Sequence, residues 1–344
     1  MRIAIVNDVA LAVEAVRRVV LASREDKLAW VAHDGAQAIE LCSHDIPDLI
    51  LMDLIMPGMD GAEATRRIMA RTPCPIVVVT ADVRNNSSKV FEAMGAGALD
   101  AVNTPVFDRP DAANGSQALL SKIETIRRLI GNGHSRNGST DLGRGNERTA
   151  PSHECLIAVG ASAGGPAALA KMLRSLPADL PASIVVVQHV DPQFAPGLAH
   201  WLGGQIPLKA RLAQEGDRPV RGTVLLAGRG DHLVLSRVMR LSYTRQPTDS
   251  SYRPSIDVFF KSVDRFWAGN IIGVLLTGMG RDGAAGLRVL RSHGHHTIAQ
   301  DEATSAVYGM PKAAAELQAA REILPLGKIG PHLAALLRKS KTHV

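Results

Sequence analysis

Cysteine and aromatic residues are scarce in this sequence of 344 residues, and it has no long apolar run. The three cysteines, Cys42, Cys74 and Cys155, lie far apart, which argues against a disulfide framework or a cysteine zinc site and fits a reducing cytosol. Because aromatics make up only 3% of the chain, a nucleic-acid binder that stacks bases on aromatic rings is disfavoured. No stretch of about 18 apolar residues occurs, and the run after Arg2 is too short for a signal-peptide core. We therefore expect a cytoplasmic protein without membrane insertion.

Positive charge is in small excess and is spread along the chain. Lys and Arg number 39 against 33 Asp and Glu, which gives a net charge of +6. Proteins that bind nucleic acid specifically concentrate their basic residues on one surface. The sequence therefore predicts no nucleic-acid partner, although a weak attraction for acidic protein surfaces fits the charge balance.

A segment rich in Gly, Ser and Asn divides the chain. It covers residues 131–153 and lacks hydrophobic periodicity, so it cannot bury enough apolar surface to offset the entropy cost of ordering its backbone. We expect a flexible linker there, between a first domain of residues 1–130 and a second of residues 154–344. Both lengths are ordinary for a domain.

Strand and helix patterns alternate in both domains. Five β-α units in the first domain predict a five-stranded parallel sheet with helices on both faces. The second domain predicts a doubly wound, mainly parallel α/β fold with a small antiparallel insertion. We place that insertion at a hairpin of residues 224–227 and 232–235, because Gly228-Arg-Gly-Asp between them is a turn signal.

Polar residues follow four predicted strand ends in the first domain: Asp8, Asp53, Thr80 and Thr104. Since ligands of open parallel sheets bind at the carboxyl ends of strands, we expect Asp8 and Asp53 to share one edge. Clustered carboxylates need a neutralising cation, and their oxygen atoms suit Mg²⁺. A lone aspartate carboxylate beside that ion can accept a phosphoryl group, with the Thr80 hydroxyl near the phosphate oxygens. Taken one at a time, these residues also fit ordinary loop and cap positions.

Residues 1–130 resemble a response-regulator receiver domain through the stretches VND, LMDLIMPGMDG and VVVTAD. The resemblance implies a flavodoxin-like (CheY-like) fold, phosphorylation of Asp53 by a CheA-type histidine kinase and Thr80 as the switch hydroxyl. It also implies that Asp8 and Asp53 hold Mg²⁺. The sequence departs from the family at Asn7, where a second acidic residue is usual, and at Thr104, where a lysine is usual.

A glycine-rich turn opens the second domain. Gly160-Ala-Ser-Ala-Gly fits the pattern G-x-S-x-G at a predicted strand-to-helix turn, which exposes the Ser162 hydroxyl near unpaired amides of a helix N-terminus. Those amides can stabilise an oxyanion, and Gly164 and Gly165 let a substrate backbone come close. The alternative is an ordinary glycine turn of a nucleotide-binding fold, although a P-loop is excluded because no Gly-Lys-Ser/Thr follows.

Two more polar residues follow strands of the second domain. His189 ends the strand after Ser162, and Asp282 follows a strand near residues 271–276 through a glycine-rich turn. His189 can act as general base toward Ser162, and Asp282 can orient the imidazole. Singly, His189 fits a satisfied polar residue and Asp282 a helix N-cap. Together the three residues predict a Ser-His-Asp triad.

The combination resembles the chemotaxis protein-glutamate methylesterases of the CheB family, through GASAGG, VVVQHV and LTGMGRDGAAG. A receiver domain precedes the catalytic domain in that family, so the resemblance covers the chain apart from the linker. It implies Ser162 as nucleophile, His189 as base, Asp282 as the orienting group and the Met279 amide in the oxyanion hole. No cofactor is implied for this esterase chemistry.

The same resemblance implies a reaction and its partners. The expected reaction is hydrolysis of glutamate γ-methyl esters on a methyl-accepting chemotaxis receptor, with glutamine deamidation as a side activity and control by receiver phosphorylation. The stretches VNDVALAVEA and ALDAVNTP look closest to the Wsp-type branch, which serves surface-sensing arrays.

Two other function classes fit the sequence less well. An α/β-hydrolase esterase would have the chain order Ser-Asp-His, whereas this sequence offers Ser162, His189 and then Asp282. A catalytically idle adaptor would need no triad. The cluster His293-Gly-His295-His296 is interpreted as a surface turn rather than a metal site, because no further ligand pattern accompanies it.

Overall fold

The computed structural model describes residues 1–23, 25–81, 86–105, 112–131, 154–250 and 252–339. The chain divides into two units, Met1–His134 and Ser135–Val344. Apart from Gly131, the predicted linker of residues 131–153 lies outside the described residues.

Five strands and five helices alternate in the first unit. In chain order they are β1 (Arg2–Val6), α1 (Ala10–Leu21), β2 (Lys27–Ala32), α2 (Gly35–His44), β3 (Leu49–Met52), α3 (Gly61–Arg71), β4 (Ile76–Thr80), α4 (Ser87–Ala96), β5 (Asp100–Asn103) and α5 (Ala112–Gly131). The strands form one parallel sheet in the order β2-β1-β3-β4-β5. The predicted receiver-like architecture is thereby confirmed.

Local sequence accounts for these elements. Every residue of β3 and β4 is buried, as expected of strands covered by helices on both faces. Asp34 and Asp60 begin α2 and α3 as N-caps, because their carboxylates accept hydrogen bonds from the main-chain N–H groups of Gln37 at 2.8 Å and Glu63 at 2.9 Å.

The second unit adds nine strands and six helices among the described residues. In chain order they are β6 (Cys155–Ala161), α6 (Gly165–Arg174), β7 (Ala182–Gln188), α7 (Ala195–Gln205), β8 (Lys209–Leu212), β9 (Thr223–Leu226), β10 (His232–Leu235), β11 (Leu241–Thr244), α8 (Ile256–Phe266), β12 (Asn270–Leu275), α9 (Ala284–Ser292), β13 (His296–Gln300), α10 (Met310–Glu316), β14 (Glu322–Leu324) and α11 (Leu326–Lys339). Seven strands form a parallel sheet in the order β14-β13-β12-β6-β7-β9-β8, which confirms the predicted doubly wound fold.

The core of the second unit lies on both faces of its central strands. All residues of β6 and β7 are buried. The helix α8 turns Ile256, Phe259, Phe260 and Val263 inward at helical spacing and packs on α9 and β10. Among the described residues, no helix is both long and apolar enough to cross a membrane.

The antiparallel insertion exists, but its predicted pairing is wrong. Residues 223–226 form β9, which joins the large sheet in parallel with β7 and β8. The strand β10 pairs instead with β11, with His232 opposite Thr244. The chain reverses after β10, where the Ser236 hydroxyl donates to the Arg240 carbonyl at 2.8 Å. The segment that contains the glycines at 228 and 230 therefore connects β9 in the seven-stranded sheet to β10 in the two-stranded sheet, and it is not a hairpin turn.

Candidate active site

Ser162 and His189 lie side by side at the carboxyl ends of two paired strands. The register of β6 and β7 aligns Ala161 with Gln188, so Ser162 and His189 occupy the next position on each strand. The His189 N–H donates to the Ala161 carbonyl at 3.0 Å, which continues the ladder beyond the strands. Adjacent parallel strands are about 4.8 Å apart, so the sheet brings the two backbones together.

The loop after β12 closes the other side of Ser162. The Ser162 N–H donates to the Thr277 carbonyl at 3.0 Å. At the next residue, Gly278, an added Cβ would lie 2.7 Å from the Ser162 Cβ. Ser162 therefore sits between the end of β7 and the loop that leads to Asp282.

His189 and Asp282 form a direct pair. The His189 Nε2 lies 2.9 Å from the Asp282 Oδ2, and both side chains are mostly buried. The other ring nitrogen, Nδ1, is buried and, within the described part of the chain, makes no hydrogen bond, the Ser162 hydroxyl included. The structure thus brings two of the three predicted triad side chains into contact, through Nε2 of His189.

Asp282 is held by four hydrogen-bond donors. Besides His189, it accepts from the Ser255 hydroxyl at 2.8 Å and from the main-chain N–H groups of Ile256 at 2.7 Å and Asp257 at 3.1 Å. The two amides belong to the first turn of α8, whose partial positive charge favours an anion. Burial by itself would raise the pKa of Asp282, but His189 and these amides outweigh it and hold the pKa below its usual value.

An aromatic ring fixes the plane of His189. Tyr252 stacks on the imidazole with ring centroids 4.8 Å apart and an interplanar angle of 6°. On its far side, an added Cβ at Gly280 would lie 2.1 Å from the Tyr252 hydroxyl oxygen.

Free main-chain donors flank the serine. Within the described residues, the N–H groups of Ala163, Gly164 and Met279 donate no hydrogen bond. Ala163 and Gly164 directly precede α6, and Met279 follows Gly278. Such unpaired N–H groups can stabilise a developing oxyanion.

Packing around residues 164 and 165 leaves no room for a side chain at either position. Gly164 has a φ of +74°, and an added Cβ would lie 2.5 Å from the Cβ of Ala306. At Gly165 an added Cβ would lie 1.9 Å from the Gln188 Oε1. Both glycines let the turn after Ser162 pack tightly against neighbouring loops; contact of either with substrate stays a prediction.

In the first unit, Asp53 is a buried carboxylate at the end of β3. It is 8% exposed, and one of its oxygens accepts from the Leu54 N–H at 2.7 Å. Burial raises its pKa to about 6, partly opposed by the main-chain N–H groups of Leu54 and Ile55, and the charge of Asp8 adds to the rise. Among the described residues, no cationic side chain lowers the pKa of Asp53, and two interacting carboxylates fit an oxygen-ligated divalent ion such as Mg²⁺.

Thr80 and Thr104 lie at the ends of the neighbouring strands. Thr80 is 1% exposed, and its hydroxyl accepts from the Asn86 Nδ2 at 3.2 Å. The Thr104 N–H donates to the Thr80 carbonyl at 2.9 Å, so both threonines follow adjacent strands as predicted. Asn7, next to Asp8, uses its side-chain oxygen to accept the Val9 N–H at 2.8 Å.

Comparison with known proteins decides the family. A family model described as CheB methylesterase matches residues 157–333, and one described as response regulator receiver domain matches residues 3–111. A protein-glutamate methylesterase/protein-glutamine glutaminase 1 of Burkholderia lata is 58% identical over 339 residues, which cover 98% of this chain and 100% of that protein. The chain belongs to the CheB methylesterase family.

Further relatives agree with this assignment. A protein-glutamate methylesterase/protein-glutamine glutaminase of Mesorhizobium japonicum is 55% identical over 343 residues, covering 99% of this chain and 100% of that protein. The crystal structure of the Thermotoga maritima CheB methylesterase catalytic domain is 33% identical, with a TM-score of 0.50, and covers 53% of this chain and 97% of that one.

Sequence reasoning missed two residues of the CheB-type site. Ser255 caps α8 and donates to Asp282, and its signal is a serine directly before an amphipathic helix. Tyr252 lies in a loop rich in Ser, Asp and Pro without periodicity, where its only signal is that aromatics are rare in this chain. Neither signal shows that Ser255 contacts Asp282 or that Tyr252 contacts His189, because these partners are distant in sequence.

Replacing Tyr252 tests whether its ring positions His189. Tyr252→Phe keeps the stacked ring and should retain near wild-type turnover, whereas Tyr252→Leu should lower kcat by about 10- to 100-fold, since a misplaced base loses part of its contribution. The loss should fall on kcat rather than on KM, because the ring contacts His189. Wild-type kcat in Tyr252→Leu would leave the ring a purely structural role.

Asp257 gives a pH-dependent stability test. Burial raises its pKa to about 6 from 3.8, and the charge of Asp282 adds to the rise. The folded carboxyl therefore binds its proton more tightly than the unfolded one, and stability falls as pH rises through this window. Asp257→Asn should raise Tm at about pH 7.5, with a smaller gain at about pH 5.

Asp217 is the matched control, because its pKa is shifted in the direction opposite to that of Asp257. The Arg211 guanidinium, 2.5 Å away, lowers the pKa of Asp217, so the ionised carboxylate stabilises the fold at neutral pH. Asp217→Asn should lower Tm at about pH 7.5. Thermal melts at both pH values distinguish the two cases, and a lower Tm for Asp257→Asn at neutral pH would contradict the sign derived for Asp257.

Proposed function

We propose that this chain hydrolyses glutamate γ-methyl esters on a methyl-accepting chemotaxis receptor, with Ser162, His189 and Asp282 as its catalytic triad. The observation that carries the proposal is the grouping of a serine, a histidine and a held carboxylate at three neighbouring strand ends, with His189 Nε2 at 2.9 Å from Asp282. The names of two relatives matched over their full length supply the substrate class.

The first half-reaction forms an acyl-enzyme. The Ser162 oxygen attacks the ester carbonyl while His189 takes the hydroxyl proton at Nδ1, the ring nitrogen without a partner. Asp282 stabilises the resulting imidazolium through Nε2–H. The tetrahedral intermediate then collapses, the C–O bond to the methoxy group breaks, and His189 returns the proton to the leaving methanol.

The second half-reaction restores the enzyme. A water molecule takes the place of methanol, His189 Nδ1 removes its proton, and the hydroxide attacks the acyl carbonyl. The bond to the Ser162 oxygen breaks, and Ser162 regains its proton from His189. The receptor glutamate leaves as a carboxylic acid, which releases its proton to water and becomes a carboxylate.

Main-chain donors stabilise both tetrahedral oxyanions. The N–H groups of Ala163 and Met279 flank Ser162 on its two sides and have no partner within the described part of the chain. Removal of one such donor costs about 3 to 4 kcal/mol of transition-state stabilisation in other serine hydrolases. Gly164 and Gly165 are proposed to keep this turn narrow enough for a receptor backbone to reach it.

The same site also suits glutamine deamidation. A glutamine side-chain amide has the shape of the methyl ester, and ammonia leaves in place of methanol with a proton from His189. The relatives' names include protein-glutamine glutaminase, which supports this second substrate.

Regulation is proposed to act through Asp53. Its buried carboxylate would accept a phosphoryl group from a CheA-type histidine kinase, and Asp8 with Asp53 would hold the Mg²⁺ that neutralises the phosphoryl charge. The buried Thr80 hydroxyl, now bonded to Asn86, would turn to the phosphoryl oxygens and transmit the change along the β4–α4 segment.

The chemosensory branch is a separate proposal. The stretches VNDVALAVEA and ALDAVNTP support a place in a Wsp-type, surface-sensing pathway. In the first stretch Asn7 replaces an acidic residue, and its side-chain oxygen is already used by the Val9 N–H. In the second, Thr104 stands where receivers carry a lysine. The site therefore offers fewer charged contacts to the phosphoryl group and its cation than other receivers do.

Methanol release from a methylated receptor tests the triad. Ser162→Ala should abolish release without loss of folding, and Asp282→Asn should lower turnover by about 10⁴-fold, as in other Ser-His-Asp enzymes. Ser292→Ala is the matched control, because its hydroxyl bonds only to the Val289 carbonyl on α9. Wild-type release by Ser162→Ala would exclude the serine mechanism and favour a different role for the domain.

Phosphorylation of the full chain tests the regulation. With cognate kinase, ATP and Mg²⁺, wild type should take up phosphate and release methanol faster, whereas Asp53→Asn should do neither. Thr80→Ala should take up phosphate yet lose most of the activation, and Thr80→Ser, which keeps the hydroxyl, should preserve it. Equal methanol release by phosphorylated and unphosphorylated wild type would contradict control by the receiver.

A further inference from the structure

Two histidines and a glutamate form a cluster away from the triad. His296 begins β13, Glu322 begins β14 and His332 lies on α11. The Glu322 Oε1 is 2.8 Å from the His296 Nε2 and 3.1 Å from the His332 Nε2. All three candidate ligand atoms lie within 4.8 Å of one another. We call these residues the His-Glu-His cluster.

One ring nitrogen of the cluster lacks a hydrogen bond of ordinary geometry. His332 Nε2 bonds to Glu322. The buried His296 Nε2 lies 2.8 Å from the same carboxylate, but within the described residues it meets the geometry of a hydrogen bond with no group. A buried polar atom in this state needs a partner, and a metal ion placed among the three atoms would supply one.

We propose that the His-Glu-His cluster binds a divalent transition-metal ion, with Zn²⁺ as the first candidate. Imidazole nitrogen and carboxylate oxygen are common zinc ligands, and bonds of about 2.0–2.1 Å place tetrahedral ligands about 3.3 Å apart. The observed pair distances of 2.8 and 3.1 Å are close to that spacing. The side chains keep 18%, 31% and 31% of their surface exposed, which leaves room for an ion to enter and for water as a fourth ligand.

The position of the cluster indicates a structural site. Register aligns His296 with Ile272 near the start of β12, whereas Ser162 pairs with Thr277 beyond the end of that strand. The cluster thus lies at the amino edge of the sheet, opposite the proposed esterase site. An ion there would join the edge strand β14 and the C-terminal helix α11 to β13.

A second histidine pair supplies the internal control. His293 Nδ1 contacts both carboxylate oxygens of Asp264 at 2.8 and 2.9 Å, and His295 lies 3.5 Å from the same carboxylate. His293 therefore already has its partner, and its side chain is 54% exposed. If surface histidines alone bound zinc, this pair would compete with the cluster.

Zinc titration of the untagged full-length chain tests the proposal. We expect one Zn²⁺ per chain by calorimetry and a Tm that rises with added Zn²⁺. His296→Ala and His332→Ala should each weaken binding by about tenfold or more and remove the Tm rise. His293→Ala should bind as wild type does. Cobalt substitution should give the visible absorption of a four-coordinate site in wild type and in His293→Ala only.

Three results would overturn zinc binding by the cluster. The first is wild-type affinity in both His296→Ala and His332→Ala, and the second is loss of binding in His293→Ala alone. The third is the absence of stoichiometric Zn²⁺ binding by the folded wild-type chain. Methanol release by wild type should be the same with and without a chelator at temperatures well below Tm, because the cluster and Ser162 lie at opposite edges of the sheet.

Discussion

The carboxylate of Asp282 is the interaction on which the second unit's functional site depends. It joins three parts of the chain that are far apart in sequence: the loop after β12, the first turn of α8 and His189. Removing one partner of a buried charged network leaves other groups unpaired, which costs several kcal/mol. The same carboxylate therefore stabilises the local fold and holds the imidazole that we propose as the general base.

Electrostatics around Asp282 also explain its neighbours. Asp257 lies one residue into α8, and its own carboxylate accepts the Gly286 N–H at 2.5 Å. Burial and the charge of Asp282 raise the pKa of Asp257 to about 6, whereas the pKa of Asp282 is lowered. The two neighbouring carboxyl groups thus have opposite pKa shifts. Both accept main-chain N–H groups, but of the two only Asp282 also has a histidine as a partner.

Much of the fold could be predicted from periodicity. Apolar runs such as 49–52 and 184–187 identify buried parallel strands, and the amphipathic pattern of 256–266 gives the bounds of α8. The short strands β8 and β14 could not be predicted, because apolar and polar residues alternate only weakly in them. The pairing of β10 with β11 could not be predicted either, because strand pairing depends on parts of the chain that are distant in sequence. The hairpin prediction failed because a glycine turn shows where the chain bends, not which strand it joins next.

The contacts between individual side-chain atoms of the site could not be predicted from the sequence either. Motifs placed Ser162, His189 and Asp282 at adjacent strand ends, but they could not show which ring nitrogen of His189 contacts Asp282, nor that Tyr252 lies against the ring. These details depend on side-chain rotamers and on a loop without periodicity. In the same way, the sequence could not show that the histidines of residues 293–296 have different neighbours. His293 contacts Asp264, whereas His296 lies beside Glu322.

The orientation of the imidazole has a consequence for inhibitor design. With Nε2 committed to Asp282 and the ring clamped by Tyr252, an electrophile that enters beside the serine meets Nδ1. An alkylating warhead shaped for serine hydrolases that present Nε2 would approach from the wrong angle. The proposed triad calls instead for a reagent built on the glutamate ester skeleton, with its leaving group directed at Nδ1.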